Sequence, residues 1–332
     1  MRRFRRRPLA AVLTAAAVVL GVLASTSCDV QVGSDGRIGL VYMDAQGFYA
    51  GVRKGMQDES KQVGDDVQLL ELNAQGDASK ESTFVSTVTS AGVKALVLSP
   101  VSTTASIPAV RLAHDNGVPV ICYNTCLTDE ATEKYVSAWI LGDPVEFGRL
   151  AGEKAAEYFT GVGNTAPTVG VLNCETVEVC KQRRAGFEQG LFERLPDARI
   201  VVNQQGTTID EAIEVADRIL TSHPDLDAFY GESGGATMGA VRAVEQRGKV
   251  GQTVVFGSDM TTDLARKLVD NRVLKADVDI SGIKVGRLAA QTAGQVMNGD
   301  KPEQLIVPAP VELYSTPEQA QAWLDAHADG LP

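Results

Sequence analysis

Five cysteines, one serine in a glycine frame, three histidines and a few charged and aromatic side chains are the groups in this chain with types and spacings suited to chemistry. Cys122 and Cys126 form one close pair, Cys174 and Cys180 another, and Cys28 stands alone near the start. C-x3-C with C-x5-C is not a usual zinc spacing, so no metal is expected. Four cysteines allow three disulfide pairings, of which sequence proximity favours Cys122–Cys126 and Cys174–Cys180. Gly231, Ser233 and Gly235 satisfy the Gly-x-Ser-x-Gly pattern of a nucleophile elbow. Such a serine needs a histidine base, and of His114, His223 and His327 only the last follows it, in the tail. Catalysis therefore has little to work with, and an exported serine esterase is a minor reading. No phosphate-cradling Gly-x-x-x-x-Gly-Lys segment is present, and no cofactor is expected. The groups left over are those of non-covalent recognition: the adjacent aromatics Phe48 and Tyr49, Arg183 and Asp259. Arg183 is expected in the first turn of a helix, where the dipole disfavours a cation, so it must serve another purpose there. Asp259 ends an apolar run, where a carboxylate also suits the cap of the following helix.

The 332 residues exceed what one hydrophobic core usually supports, which points to two lobes. With 44% hydrophobic and 22% charged residues the composition is globular. The net charge is −11, and five of the 31 basic residues are arginines among the first seven positions; without them it would be −16. Such a chain does not bind nucleic acid through its phosphates. Those arginines precede an apolar run from Leu9 to Leu23 and then small residues up to Cys28, the order of a secretory signal. The apolar stretch is too short for a permanent membrane span. Leu23-Ala-Ser-Thr-Ser-Cys28 resembles a bacterial lipoprotein cleavage box, with Ser25 where such boxes usually carry Leu. Residues 1–28 are accordingly expected to be a signal ending at a lipidated Cys28, and 29–36 a short linker. Lipidation of Cys28 would leave the other four cysteines to pair in an oxidising compartment.

Past Ser34 short apolar runs alternate with helical patterns. The runs are Ile38–Tyr42, Val67–Leu72, Val93–Leu98, Val118–Cys122, Val169–Leu172, Ile200–Val202, Ala228–Tyr230 and Val254–Phe256. The helical segments are Phe48–Gln62, Ser79–Ala91, Ser106–Asn116, Val145–Thr160, Gln182–Arg194, Ile209–Thr221, Thr237–Arg247 and Lys284–Asn298, with Thr316–His327 a short surface helix docked by Trp323. This is the pattern of βαβ units around parallel sheets, an α/β class of fold. No flexible tether divides the two series, so several strands are expected to cross between the lobes.

These residues, taken in order, resemble the periplasmic sugar-binding proteins of ribose-binding type, the solute receptors of ABC importers. The likeness runs from Arg37 to Ser315. It is carried by Ile38-Gly-Leu-Val-Tyr42, Gly47-Phe48-Tyr49, Gly51-x3-Gly55-Met56, Val97-Leu98-Ser99-Pro100 with Ile107 and Ala109, and Gly117-Val-Pro-Val-Ile121. It continues through Gly142-Asp143, Gly148, Ala151-Gly152, Arg183-x2-Gly186-Phe187, Leu220-x2-His223-Pro224-Asp225, Gly239-Ala240 and Gly257-Ser258-Asp259. The resemblance implies two doubly wound parallel-sheet lobes joined by three crossing strands, with the ligand in the cleft between them. The first lobe would comprise 37–142 plus 281–310, the second 143–280 plus 311–332. The related fold of sugar-sensing repressors is set aside, because a helix-turn-helix would have to occupy the place of the signal segment.

A sugar or polyol offers an apolar C–H face and a rim of hydroxyls, which an aromatic platform and planar charged side chains recognise. By resemblance Phe48 and Tyr49 supply the platform, Gln46 a polar contact, Arg183 the ligand arginine and Asp259 a carboxylate accepting hydroxyls. Ser99, Ser233 and Asp279 stand at or beside further pocket positions. Asn124-Thr125 departs from the Asp-Arg usual after the fourth strand, and Ile280 replaces the usual Gln, so the ligand is not carried over from the ribose receptors. The expected role is an extracytoplasmic lipoprotein, monomeric and touching the membrane only through its lipid, that delivers a neutral polyhydroxylated solute to an importer permease. A receptor feeding a membrane sensor kinase is the alternative.

Overall fold

In the computed structural model of the chain, residues 36–43, 45, 47–63 and 67–332 are described. The signal segment with Cys28, the linker up to residue 35, and Gln46 lie outside the described residues.

The first lobe is built from β1 (Arg37–Tyr42), α1 (Gly47–Val63), β2 (Gln68–Asn73), α2 (Ala78–Ser90), β3 (Ala95–Leu98), α3 (Ile107–Asp115), β4 (Val120–Tyr123), α4 (Asp129–Tyr135) and β5 (Ala138–Leu141). The second repeats the scheme with α5 (Pro144–Gly161), β6 (Thr168–Asn173), α6 (Glu178–Phe192), β7 (Arg199–Gln205), α7 (Ile209–Ser222), β8 (Ala228–Gly231), α8 (Gly234–Gln246), β9 (Val254–Ser258), α9 (Thr262–Asp270) and β10 (Leu274–Asp279). The chain then returns through α10 (Gly282–Met297), β11 (Ile306–Pro308), β12 (Glu312–Tyr314) and α11 (Pro317–Ala326). One sheet has the order β11-β5-β4-β3-β1-β2 and the other β12-β10-β9-β8-β6-β7. All pairings are parallel except β10 with β12, an antiparallel edge in the second sheet. The chain passes from one lobe to the other near Gly142, again after β10, and a third time between β11 and β12. No helix of the described residues is long and apolar enough to cross a membrane.

Burial on both sheet faces explains the apolar strands. One cluster of buried side chains runs through both lobes beneath α1, α10, α5 and α6. Separate clusters fill the far face of the first sheet and of the second, the latter closed by Trp323 of α11, which is 2% exposed. Four strands, β5, β10, β11 and β12, lie outside the eight apolar runs. β5, β11 and β12 are short, and in the six-residue β10 Lys275, Asp277 and Asp279 break the apolar pattern although Asp277 and Asp279 are buried. Helices α4 and α9 are also additions, seven and nine residues long and rich in polar side chains.

Two helix pairs pack at glycine distance. In α5 and α6, added side-chain atoms at Gly148, Gly152, Gly186 and Gly190 would each overlap a carbonyl oxygen of the facing helix. Gly51, Gly55, Gly282 and Gly286 repeat this arrangement in the first lobe, with α1 against α10 except that Gly51 meets the carbonyl of Pro332. Backbones that approach so closely admit no Cβ between them. The pairing fixes α6, the helix that carries Arg183, directly against α5.

Candidate ligand-binding site

Each lobe reverses its strand order next to its first strand, and in such sheets ligands lie outside the carboxyl ends of the strands. A cleft of about 440 Å³ opens there. The loop after β1 and the start of α1 contribute Phe48 and Tyr49, and the turn after β4 contributes Asn124. From the other lobe come Cys174, Cys180 and Arg183 around α6, Ser233 after β8, Asp259 after β9, and Asp279 and Ile280 at the end of β10.

Arg183 is the best-anchored of these. Its guanidinium carbon lies 3.9 Å from the centre of the Phe147 ring. Nη1 donates to the backbone carbonyl of Glu232 at 2.9 Å and to the Asp259 carboxylate at 3.0 and 3.2 Å. The arginine side chain is 11% exposed and the aspartate 39%, so the pair presents mainly its carboxylate to the cleft. Arg184 instead pairs with Glu175 and Glu188. The helix begins at Glu178 rather than near Gln182, which places Arg183 in the second turn, not the first. The dipole argument for its purpose therefore falls away: Cys180, bonded to Cys174, is already helical, and its buried tether starts α6 earlier than the apolar pattern does.

Across the cleft, Phe48 and Tyr49 meet edge to face at 5.4 Å. Asn124 donates through its side-chain amide to the Tyr49 hydroxyl at 3.3 Å. Its backbone carbonyl accepts from the Trp139 indole. Asn124 and Asp259 both have positive φ, 58° and 63°. Asn and Asp tolerate this left-handed backbone better than other side chains, and such conformations concentrate where function holds a residue in place. Cys122 and Cys126 are bonded beneath Asn124 but do not line the cleft, whereas the bonded pair Cys174–Cys180 does.

Ser99 is fully buried behind the cleft, its hydroxyl bonded to that of Thr125. Ser233 caps α8, accepting from the Ala236 amide, and no histidine lines the cleft among the described residues. The elbow pattern thus corresponds to a helix cap. Three residues important to the geometry carry no signal in the sequence: Phe147 reads as ordinary helix core, Glu232 as part of a turn, and Asp277 as a polar break.

Burial dominates the electrostatics behind the cleft. It pushes the Glu232 carboxyl up to about 8, against the Cys174 amide that donates to it. It pushes Asp279 to about 8 as well, helped by the charge of Asp259, and raises Asp277 well above the usual carboxylate range. Between the ordinary carboxyl range and about 8 the folded chain holds protons that the unfolded chain releases, so this part of its stability is complete below the unfolded pKa values and is lost as pH rises through the folded ones. The melting temperature is expected to fall from about pH 5 to about pH 8, each such group adding up to about 1.4 kcal/mol per pH unit. Asp279→Asn should flatten the decline. A melting temperature that rises over this interval would contradict the assignment.

Residues 38–301 match the periplasmic binding protein domain family. The chain is 50% identical over 295 residues to the ABC transporter periplasmic-binding protein YphF of Escherichia coli, covering 89% of this chain and 90% of that one. It is 28% identical over 256 residues to the ribose import binding protein RbsB of the same organism, 76% and 82% of the two chains. Among solved structures, a periplasmic solute-binding protein of Actinobacillus succinogenes with bound D-allose superposes with a TM-score of 0.78 at 22% identity, covering 86% of this chain and 99% of that one. One from Bacillus halodurans with bound myo-inositol gives 0.76 at 20% identity, with 89% and 100% covered. These relatives are binding proteins and not enzymes, which agrees with a cleft whose serine is a helix cap. Two doubly wound lobes, a cleft at their strand ends and this extent of identity together establish that the chain belongs to the periplasmic binding protein family.

Proposed function

We propose that this protein captures a small, neutral, polyhydroxylated solute, a sugar or polyol, by closure of its two lobes and delivers it to an ABC importer. One observation carries the reading: the Arg183–Asp259 pair, backed by Phe147, faces an edge-to-face aromatic pair across a cleft of sugar size. The carboxylate accepts hydroxyl hydrogens, and the aromatics take the C–H face. Binding of D-allose and myo-inositol by structural relatives supports the ligand class. The lobes correspond to 37–142 with 281–310 and 143–280 with 311–332. Calorimetry and thermal shift over pentoses, hexoses and four- to six-carbon polyols test the reading, since ligand at about 100 times its dissociation constant stabilises by about 2.7 kcal/mol. No shift across the whole panel would sink it.

The mature protein is proposed to begin at a lipidated Cys28 and to sit at the outer face of the membrane. Intact mass and detergent partitioning should show the lipid, and Cys28→Ser should release the protein. An unmodified amino terminus would refute the anchor.

Reduction of Cys174–Cys180 is expected to weaken solute binding more than it lowers stability. A loop this short restricts the unfolded chain by about 2–3 kcal/mol at most, whereas the bond holds the start of α6 and the Cys174 amide that engages Glu232. Binding measured before and after mild reduction decides this: equal affinity in both states would show that the disulfide has no part in positioning.

A further inference from the structure

Asp279 closes the floor of the cleft from the end of β10 and is 2% exposed. Its Oδ1 accepts one hydrogen bond, from the Met260 amide at 3.2 Å. Its Oδ2 is buried with no hydrogen-bond partner among the described residues. Two residues back on the same face of the strand, Asp277 is fully buried with neither oxygen partnered among the described residues. A buried ionised carboxylate needs donors or a counter-charge. Arg183 is the one cation among the described cleft-lining residues; its Nη1 is taken by Asp259 and the Glu232 carbonyl, and its buried Nε has no hydrogen-bond partner among the described residues and so does not reach Asp279.

The surrounding elements supply no further counter-charge. From the β9–α9 segment come Asp259 and, at the cleft wall, Asp263. From β12 come Tyr314 and Glu312, the latter paired with Lys284 of α10 at 2.7 Å. Lys275 on β10 itself reaches the Asn271 carbonyl and the Tyr158 ring. The charged side chains of α5 pair among themselves or with Arg194 just past α6, as Arg149 does with Glu146 and Glu153, Lys154 with Glu157, and Glu153 with Arg194.

We infer that Asp279 is a specificity-determining group that stands in the cleft as a neutral carboxylic acid and donates the hydrogen bond of its Oδ2 hydroxyl to an acceptor oxygen of the solute. Asp259 and Asp279 then divide the recognition. Asp259, ionised and held by Arg183, accepts from solute hydroxyls, while Asp279 donates to a ring, carbonyl or hydroxyl oxygen and admits only solutes with a lone pair at that place. Asp277 behind it, also neutral, adds no charge that would drive the proton off. The upward shift of the Asp279 pKa to about 8 agrees with this division. The inference rests on the proposed solute cleft.

Carboxyl-carbon NMR of the aspartate-labelled protein without solute tests the protonation directly, the Asp279 signal being identified by its loss in Asp279→Asn. A titration midpoint above about pH 7 is expected, and one in the usual carboxylate range would overturn the inference. Calorimetry with D-allose and with myo-inositol supplies the second arm. For a probe that binds, affinity should fall at least about tenfold between about pH 6 and pH 9.5, and Asp279→Ala should lose about tenfold at pH 6. Asp279→Asn, whose amide keeps a donor, should stay within about threefold of wild type at pH 6 and show a flat profile. A flat wild-type profile, or no loss in Asp279→Ala, would overturn the donor role. If no solute of the wider panel binds, or if Arg183→Ala binds its probe as wild type does, the reading of the cleft fails, while the NMR midpoint still judges Asp279.

Discussion

Replacing Arg183 with alanine is expected to weaken solute binding by about 2–5 kcal/mol, roughly thirtyfold to several thousandfold. The guanidinium is positioned three ways: stacked on Phe147, bonded to the Glu232 carbonyl and paired with Asp259. Removal therefore takes away a charged donor and also frees the aspartate to turn toward water, because that carboxylate is 39% exposed. Asp259→Ala should fall in the same range for the complementary reason. Lysine at 183 should restore little, since a point ammonium cannot stack flat on the Phe147 ring while reaching the Glu232 carbonyl and the Asp259 carboxylate as the planar guanidinium does. Arg184→Ala is the matched control: its partners, Glu175 and Glu188, lie on the same helix or just before it, and its charge does not line the cleft. Folding should change little in either arginine variant. Calorimetric affinities for the bound solute decide the matter, and equal losses at 183 and 184 would mean that the site has been assigned to the wrong face of α6.

Gly148→Ala is expected to be as damaging through a different route. The added methyl would overlap the backbone carbonyl oxygen of Arg183, and a rigid carbonyl inside a helix cannot turn aside as a flexible side chain would. Overpacking of a core commonly costs about 1–3 kcal/mol, and here the obstruction is backbone, so about 3 kcal/mol or more is expected. The helices can relieve it only by separating, which carries Arg183 away from Phe147 and Asp259. Stability and affinity should fall together in Gly148→Ala, in contrast to Arg183→Ala, where affinity falls alone. Gly161→Ala is a suitable comparison, because nothing stands within 4 Å of a Cβ there. Denaturant midpoints for the two glycine variants, with solute affinity measured on each, test this. A Gly148→Ala protein of wild-type stability would show that the α5–α6 contact is looser than the structure has it.

The sequence by itself determined the alternation of strands and helices and the existence of two lobes. Buried parallel strands write themselves as uninterrupted apolar runs, and amphipathic helices as a three-and-four spacing. Where burial and apolarity part company the pattern is silent: β10 carries two buried aspartates and so shows no apolar run. The cleft was legible in part, since Phe48, Tyr49, Arg183 and Asp259 matched ordered motifs. Ser99 did not belong with them, because one-dimensional adjacency to a strand end cannot distinguish a side chain aimed into the cleft from one aimed beneath it. The roles of Phe147, Glu232, Asp277 and Asp279 were decided only by tertiary structure. Phe147 and Arg183 are 36 positions apart, yet the glycine contact of α5 with α6 stacks them. Whether a carboxylate is an exposed charge or a buried acid depends on the donors and counter-charges that other elements bring to it, and no spacing along the chain records those.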